Sequence, residues 1–312
     1  MTIESGTYLT YSAVGNREDL ADIIYNISPT DTPFQARIPT TTATAVKHEW
    51  QTDSLAAAGV NKQLEGDEFG YSDPAKTSRI DNQCQISYKT TLVSGTQDAV
   101  SKAGRKREMV YQLMKRAKEL RRDMEFTLTG NYSKVSGNSS TARALRSLCS
   151  WYTTNAQRGA GGADGSSSAA ATDGTKRPLS EGLLKAGLQA TWTAGGDVDM
   201  IMTGAYNKQV ISGFSGNTTR TQDTSDKKLS TAIDIYVSDF GSHQIVPNRF
   251  SRDRDVHLVT TNLWALAQLR PMRTVDIAAT GDATKGVIIC EYTLESRNEA
   301  GSAVIADCTT SG

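Results

Sequence analysis

Residue types that carry chemistry are sparse in this 312-residue chain, which has three histidines and four cysteines. Nucleophilic catalysis needs a Ser or Cys activated by a base. No Ser stands in a GxSxG turn, and no Cys has an orienting His beside it. His48, His243 and His257 sit in separate segments, each in or beside a β-prone run, which suits packed or solvent-facing strand positions. Cys84, Cys149, Cys290 and Cys308 form no CxxC pair and read as reduced, mostly buried thiols. "GAGGADG" at 159–165 has the glycines of a phosphate cradle. A cradle needs a strand before it and a helix directly after, and here Ser, Ala and Thr run on instead. "DVD" at 197–199 lacks an EF-hand continuation. Glu65, Asp67, Glu68 and Asp73 offer paired carboxylates, but their Gly-containing surroundings hold nothing to desolvate them. These residues point to no enzyme, no cofactor and no metal.

Charge patterning says more. Residues 102–126, "KAGRKREMVYQLMKRAKELRRDMEF", hold nine Lys or Arg and four Asp or Glu, in a chain whose 34 bases and 34 acids cancel. Residues 1–95 carry 12 acids and 7 bases, whereas 96–125 carry 5 acids and 9 bases. An acidic first third beside a basic segment suggests self-complementarity, within one molecule or between copies. Helices that read DNA gather cations on one face or end. Here the cations flank an apolar stripe on both sides, and acids interrupt them at helix-supporting spacings, Lys115 with Glu119 and Arg121 with Glu125. The expectation is a long amphipathic helix with a solvated basic face. A DNA-binding role for 102–126 stands as its competitor.

The elements around these residues can be placed by period and punctuation. Residues 16–27 read as a short helix, with Asn16 as cap and Leu20, Ile23, Ile24 and Ile27 on one face. Two β-prone runs, "KHEWQTDSL" and "NQCQISYKTTLVSG", flank the irregular stretch 59–79. They predict a long hairpin with an acidic tip, projecting outward because so long an irregular loop fits poorly inside a compact domain. From 96 to 129 the apolar positions recur at helical spacing, with Gly104 and residues 106–107 as weak points. Residues 159–176 are small and polar and predict an exposed, flexible loop that tolerates shortening. Ser180 caps a further helix, and from 197 onward short strands alternate with helical pieces. The class is α+β. No secretory signal opens the chain and no apolar run is long enough to span a membrane, so a soluble, cytoplasmic product is expected.

This order of elements resembles the major capsid proteins of tailed bacteriophages, whose fold is shared with encapsulins and the herpesvirus capsid floor. The wording that carries the resemblance is "GNREDLADIIYNISPTDTPF" at 15–34, "HEWQTDSL" at 48–55, "AGRKREMVYQ" at 103–112 and "VPNRF" at 246–250, with "LRP" at 269–271 and "TGDATKG" at 280–286. The resemblance implies an N-terminal arm over 1–45 and an extended loop over 46–94. A peripheral domain would cover 95–180 with its spine helix at about 96–129, and an axial domain 181–284. Residues 285–299 would return as a strand to the peripheral domain, and 300–312 would supply a C-terminal strand of the axial domain.

It further implies a shell of pentamers and hexamers enclosing double-stranded DNA, assembled in the host bacterial cytoplasm. The partners would be further copies of the chain, a portal, and scaffolding or decoration proteins, with packaged DNA touched only non-specifically and no membrane involved. An encapsulin-like nanocompartment is the alternative. On this reading the arm is disordered in free subunits and ordered by assembly. The acidic tip, with Glu65, Asp67, Glu68 and Asp73, would meet Arg105, Lys106 and Arg107 of the next subunit.

Overall fold

The computed structural model describes residues 28–71, 73–102, 107–214 and 234–311. The expected helix over 16–27, and Arg105 and Lys106, lie outside them. In chain order the first elements are α1 (Pro33–Arg37), β1 (Thr40–Thr42), β2 (Lys47–Thr52), β3 (Ser78–Gln83), β4 (Gln85–Ser94), α2 (Gly95–Ala99) and α3 (Glu108–Thr129). Then come α4 (Leu148–Trp151), β5 (Ala156–Gln157), α5 (Glu181–Thr193), β6 (Met200–Thr203), α6 (Ala205–Ser212), β7 (Ile235–Ser238) and β8 (Gly241–Pro247). The last are β9 (Val256–Val259), β10 (Trp264–Ile277), β11 (Ala283–Ser296) and β12 (Ala303–Ile305).

Two main sheets organise the chain. One runs β1-β10-β11-β4, the other β5-β12-β9-β6-β8-β7, and β2 pairs with β3 alone. The helix α3 lies along one face of the four-stranded sheet, where Leu120, Met124 and Leu128 join Ile288, Cys290 and Tyr292 in the larger core. At Gly286 a side chain would strike Met109 and Leu113 of α3, so a glycine is needed there for helix and strand to close. The second core lies on the six-stranded sheet, with Leu184 and Leu188 of α5 over Ile201, Leu258 and Ile305. Ser180 caps α5 as expected, its hydroxyl accepting from the Leu183 amide at 3.3 Å.

Three local expectations need correction. The helix expected over 96–129 is two pieces. Val100 takes extended backbone (φ −68°, ψ 139°), and α3 starts only at Glu108. Asp98 spans the break: its carboxylate accepts from the Glu108 amide at 2.9 Å and so caps α3 from the preceding helix. The second correction concerns the base of the arm. Phe34 is fully buried, and Thr40–Thr42 pair in parallel with Leu266–Gln268, so residues 33–43 belong to the body. The third concerns 159–176, which is exposed over most of its length, as expected, but is pinned to the body at Gly159, Gly165 and Ala171. A side chain at Gly159 would sit 2.1 Å from the Thr175 carbonyl, and Ala171 is buried.

Candidate assembly surfaces

The extended loop is built by a short ladder. β2 and β3 pair antiparallel from Lys47↔Gln83 to Thr52↔Ser78, and the described residues among the 25 between them form no helix or strand. Gly66, at φ +82°, turns the tip, a conformation that favours glycine. Leu55, Val60, Leu64, Phe69 and Tyr71 along this loop are exposed, Leu55 at 98% and Tyr71 at 96%. Large apolar side chains left wholly in water along one segment mark a surface awaiting a partner. Glu65, Asp67, Glu68 and Asp73 are exposed among them. Of the three basic residues expected to meet these acids, Arg107 is exposed at the N-cap of α3. Within one chain the tip acids make no ion pair with it among the described residues.

The charges of α3 are spent differently from the sequence expectation. Glu119 pairs with Arg116 at 2.7 Å, and Asp123 with Lys89 of β4 at 2.7 Å. Glu125 turns inward and is fully buried. Its carboxylate accepts from the Phe34 amide at 2.8 Å, the Gln35 amide and side chain at 3.1 Å each, and Asn248 Nδ2 at 2.8 Å. One side chain thereby caps α1, fastens it to α3 and ties both to the end of β8. Burial pushes its carboxyl above the usual range, and the four donors pull the other way. The sequence offered one hint: position 125 lies beside Met124 and Leu128 on the buried side of the helix.

Residues suited to catalysis are used structurally. The four cysteines are free thiols and all buried. Burial pushes the Cys149 thiol up to about 12 and holds His257 down to about 3, so neither is poised for nucleophilic or base chemistry near neutrality. His48 meets Glu295 at 3.1 Å, and His243 lies 2.6 Å from the Val198 carbonyl. Among the described residues no group of three or more His, Cys, Asp or Glu is placed to hold a metal ion. No described helix is long and apolar enough to cross a membrane.

A projecting hairpin, a long helix under a four-stranded sheet, and a second α/β layer define a known class of shell subunit. The fold matches the cyanophage A-1(L) capsid subunit, with TM-score 0.68, 12% identity and coverage of 94% of this chain and 97% of that one. It also matches the capsid of a native GTA particle, with TM-score 0.64, 9% identity and coverage of 98% and 100%. This is the tailed-phage major capsid fold. Sequence gives the family: residues 5–309 match the model of the SU10 major capsid protein, and the chain belongs to that family. A curated relative, the major capsid protein of Escherichia phage Phieco32, is 26% identical over 340 residues, covering 96% of both chains. The protein is thus a structural subunit of a phage capsid and builds the virion shell by association with its own copies.

Proposed function

We propose that the chain assembles into pentamers and hexamers that close an icosahedral head around double-stranded DNA. Assembly takes place in the host bacterial cytoplasm. The observation that carries this is the extended loop, whose apolar side chains have no cover within one chain. A monomer gains nothing from a 25-residue projection of this composition, whereas a closed lattice covers it at every subunit boundary. A portal at one vertex, and scaffolding or decoration proteins, complete the set of partners. Contact with packaged DNA is non-specific, since the cations of α3 are interleaved with acids and divided between two sides of the helix. No catalytic role is assigned to any residue.

Within the shell the loop tip, with Glu65, Asp67, Glu68 and Asp73, lies against the basic junction at 105–107 of the neighbouring subunit. Sedimentation and electron microscopy of the purified protein test the shell. Closed megadalton particles with five- and six-fold capsomers are expected. A monomer or dimer with steeply salt-dependent DNA affinity would overturn it.

A further inference from the structure

The ladder of β2 and β3 joins neither main sheet. One face of it holds it to the body, with an Asp81–Lys134 ion pair at 2.6 Å on the other. Residues alternate across a strand, so His48 and Trp50 of β2 share a face with their cross-strand partners Asn82 and Ile80 of β3. Trp50 and Ile80 pack on the larger core, and Trp50 lies 5.9 Å from Trp151 between ring centroids. The polar groups of this face are aimed at three consecutive residues at the end of β11. Asn82 Nδ2 donates to the Leu294 carbonyl at 2.7 Å, His48 Nε2 meets the Glu295 carboxylate at 3.1 Å, and Trp50 Nε1 donates to the Ser296 carbonyl at 2.7 Å. Asn82 is fully buried and does more. Its Nδ2 also donates to the Arg146 carbonyl at 3.1 Å, and its Oδ1 accepts from the Arg146 amide at 2.8 Å and the Gln83 amide at 2.9 Å. β4 pairs with β11 only as far as Gln85 opposite Tyr292. Where the chain leaves that sheet, the Asn82 side chain takes the place of a peptide group and extends the pairing to Leu294 and Arg146.

We propose that Asn82, with His48 and Trp50, is the set of positioning residues that aims the extended loop for assembly. The inference rests on the shell-forming role and adds the residues that fix the loop's direction. Apolar contact at Trp50 and Ile80 gives the ladder attraction without direction, whereas hydrogen bonds weaken steeply when bent. Bonds to three successive residues of one strand leave the ladder a single angle of departure. Leverage makes that angle matter. Two legs of the 25-residue loop reach about 40 Å at about 3.3 Å per residue, so a tilt of about 10° at the base moves the tip about 7 Å. A shift of that size breaks any side-chain contact the loop makes. A subunit with a loose joint therefore keeps its fold and its loop but presents the loop in many places. Asn82 is the strongest of the three. A primary amide donates to two carbonyls and accepts from two amides at one buried point, and neither Ala nor an ionised Asp can do both.

Pairs of nitroxide spin labels read the joint directly, because all four native thiols are buried and compete little for label. Ser78→Cys, at the outer end of the ladder, and Lys115→Cys, on the exposed side of α3, report the angle as a dipolar distance within one chain. Isolated subunits with the native joint should give one narrow distance distribution. Asn82→Ala and Asn82→Asp should each broaden it about twofold while circular dichroism shows the body folded. Trp50→Phe keeps the packing and removes one donor, so it should broaden the distribution less. All three variants should give fewer closed shells and more irregular ones than the parent. Distributions as narrow as the parent's and centred on the same distance overturn the proposal. Where neither Asn82 variant folds, the same result in Trp50→Phe overturns it. So do broadened joints whose shells close as well as the parent's, since the angle would then not matter for assembly. Failure of the unmodified protein to form shells overturns the assembly role itself, and the distances then judge the joint on their own.

Discussion

Segments 53–77 and 158–178 are both irregular, both rich in turn residues, and both joined to the same body. In the first, Gly59 and Gly70 have nothing within 4 Å of a would-be side chain, and the large apolar residues are in water. In the second, backbone meets backbone. Asp307, in the left-handed region at φ 62°, accepts from the Gly159 amide at 2.9 Å and from Arg254 at 2.5 Å. Asp173 accepts from Arg252 at 2.5 Å and from Arg254 at 2.9 Å. Asn131 binds both the amide and the carbonyl of Ala171, at 2.9 and 2.7 Å. Small residues in 158–178 let the chain approach closely enough to satisfy these groups at home. The larger residues of 53–77 cannot be satisfied there, so their partner is elsewhere. Smallness in a loop can mean tight packing, and bulk in a loop can mean an interface.

The packed segment is the place to break this contrast with the largest effect. Asp307→Ala leaves Arg254 and the Gly159 amide short of an acceptor and puts a Cβ-bearing apolar residue at positive φ. Arg254 keeps Asp173, so what is lost is an acceptor for two buried donors, about 1–3 kcal/mol each, and thermal melting of the isolated subunit should show a loss of that order. Deleting part of 161–172 should likewise unfold the subunit, the reverse of what its composition suggests. Glycine substitutions offer a paired control. Gly159→Ala forces a methyl to 2.1 Å from the Thr175 carbonyl, and overpacking of this kind costs about 1–3 kcal/mol. Gly59→Ala meets open space, and its melting should stay within about 0.5 kcal/mol of the parent. Equal effects at the two glycines would erase the distinction.

A pH profile sharpens it further. His257 in β9 is fully buried and stacks on Tyr152 at 5.8 Å between ring centroids. Burial, and then the cations of Arg252 and Arg158, hold its pKa down to about 3 from the usual 6.5 of a histidine in water. Between those two values the unfolded chain binds a proton that the native one refuses, so stability falls as pH falls from 6.5 toward 3. By pH 5 that amounts to about 2 kcal/mol, at 1.36 kcal/mol per unit. Asp255, whose carboxyl burial pushes up, acts with the opposite sign in acid, so the comparison must be between parent and His257→Phe. The variant's melting should lose less between pH 7 and pH 5 than the parent's. Parallel profiles would mean that His257 takes up its proton as readily in the native chain as in the unfolded one.

How much of this was legible in the sequence depends on the range of each interaction. The α5 cap at Ser180 and the long β11 rest on local rules, and each is where the pattern put it; the hairpin exists, but its return strand is Ser78–Gln83, and the run expected to form it goes mostly to β4 of the four-stranded sheet. What could not be read was long-range. Asp98 caps a helix ten residues on, and Glu125 caps one 91 residues back. Helical spacing paired Glu125 with Arg121, but a buried site with four donors outbids a solvated i,i+4 pair. The glycines of 158–178 resembled flexibility because the residue they serve, Asp307, is about 150 positions away. The hold of Asn82 on Leu294 was equally hidden, since the two lie 212 positions apart.

The smallest expected effect in the subunit belongs to the loop tip, and there the contrast between the two segments is sharpest. Replacing Glu65, Asp67 and Glu68 by Lys changes three exposed side chains, of which Asp67 makes a local bond, accepting from the Glu68 amide at 3.0 Å, so isolated subunits should melt nearly as the parent does. On the proposed contact between the tip and Arg107 of the neighbour, assembled shells should melt lower, because like charges would then meet at each boundary. Exposed ion pairs are individually weak, and the effect accumulates only through repetition around a closed lattice. With a Debye length of about 8 Å at physiological salt, raising the salt should narrow the gap between parent and variant shells. Changing Arg105, Lys106 and Arg107 to Glu in the same chain should restore part of the loss. Full restoration would assign the tip's charge contact to the junction alone. No restoration would move that contact elsewhere on the neighbour. Variant shells identical to the parent in both melting and salt response would show that the tip carries no charge contact between subunits, leaving the loop's apolar residues as the whole of its hold.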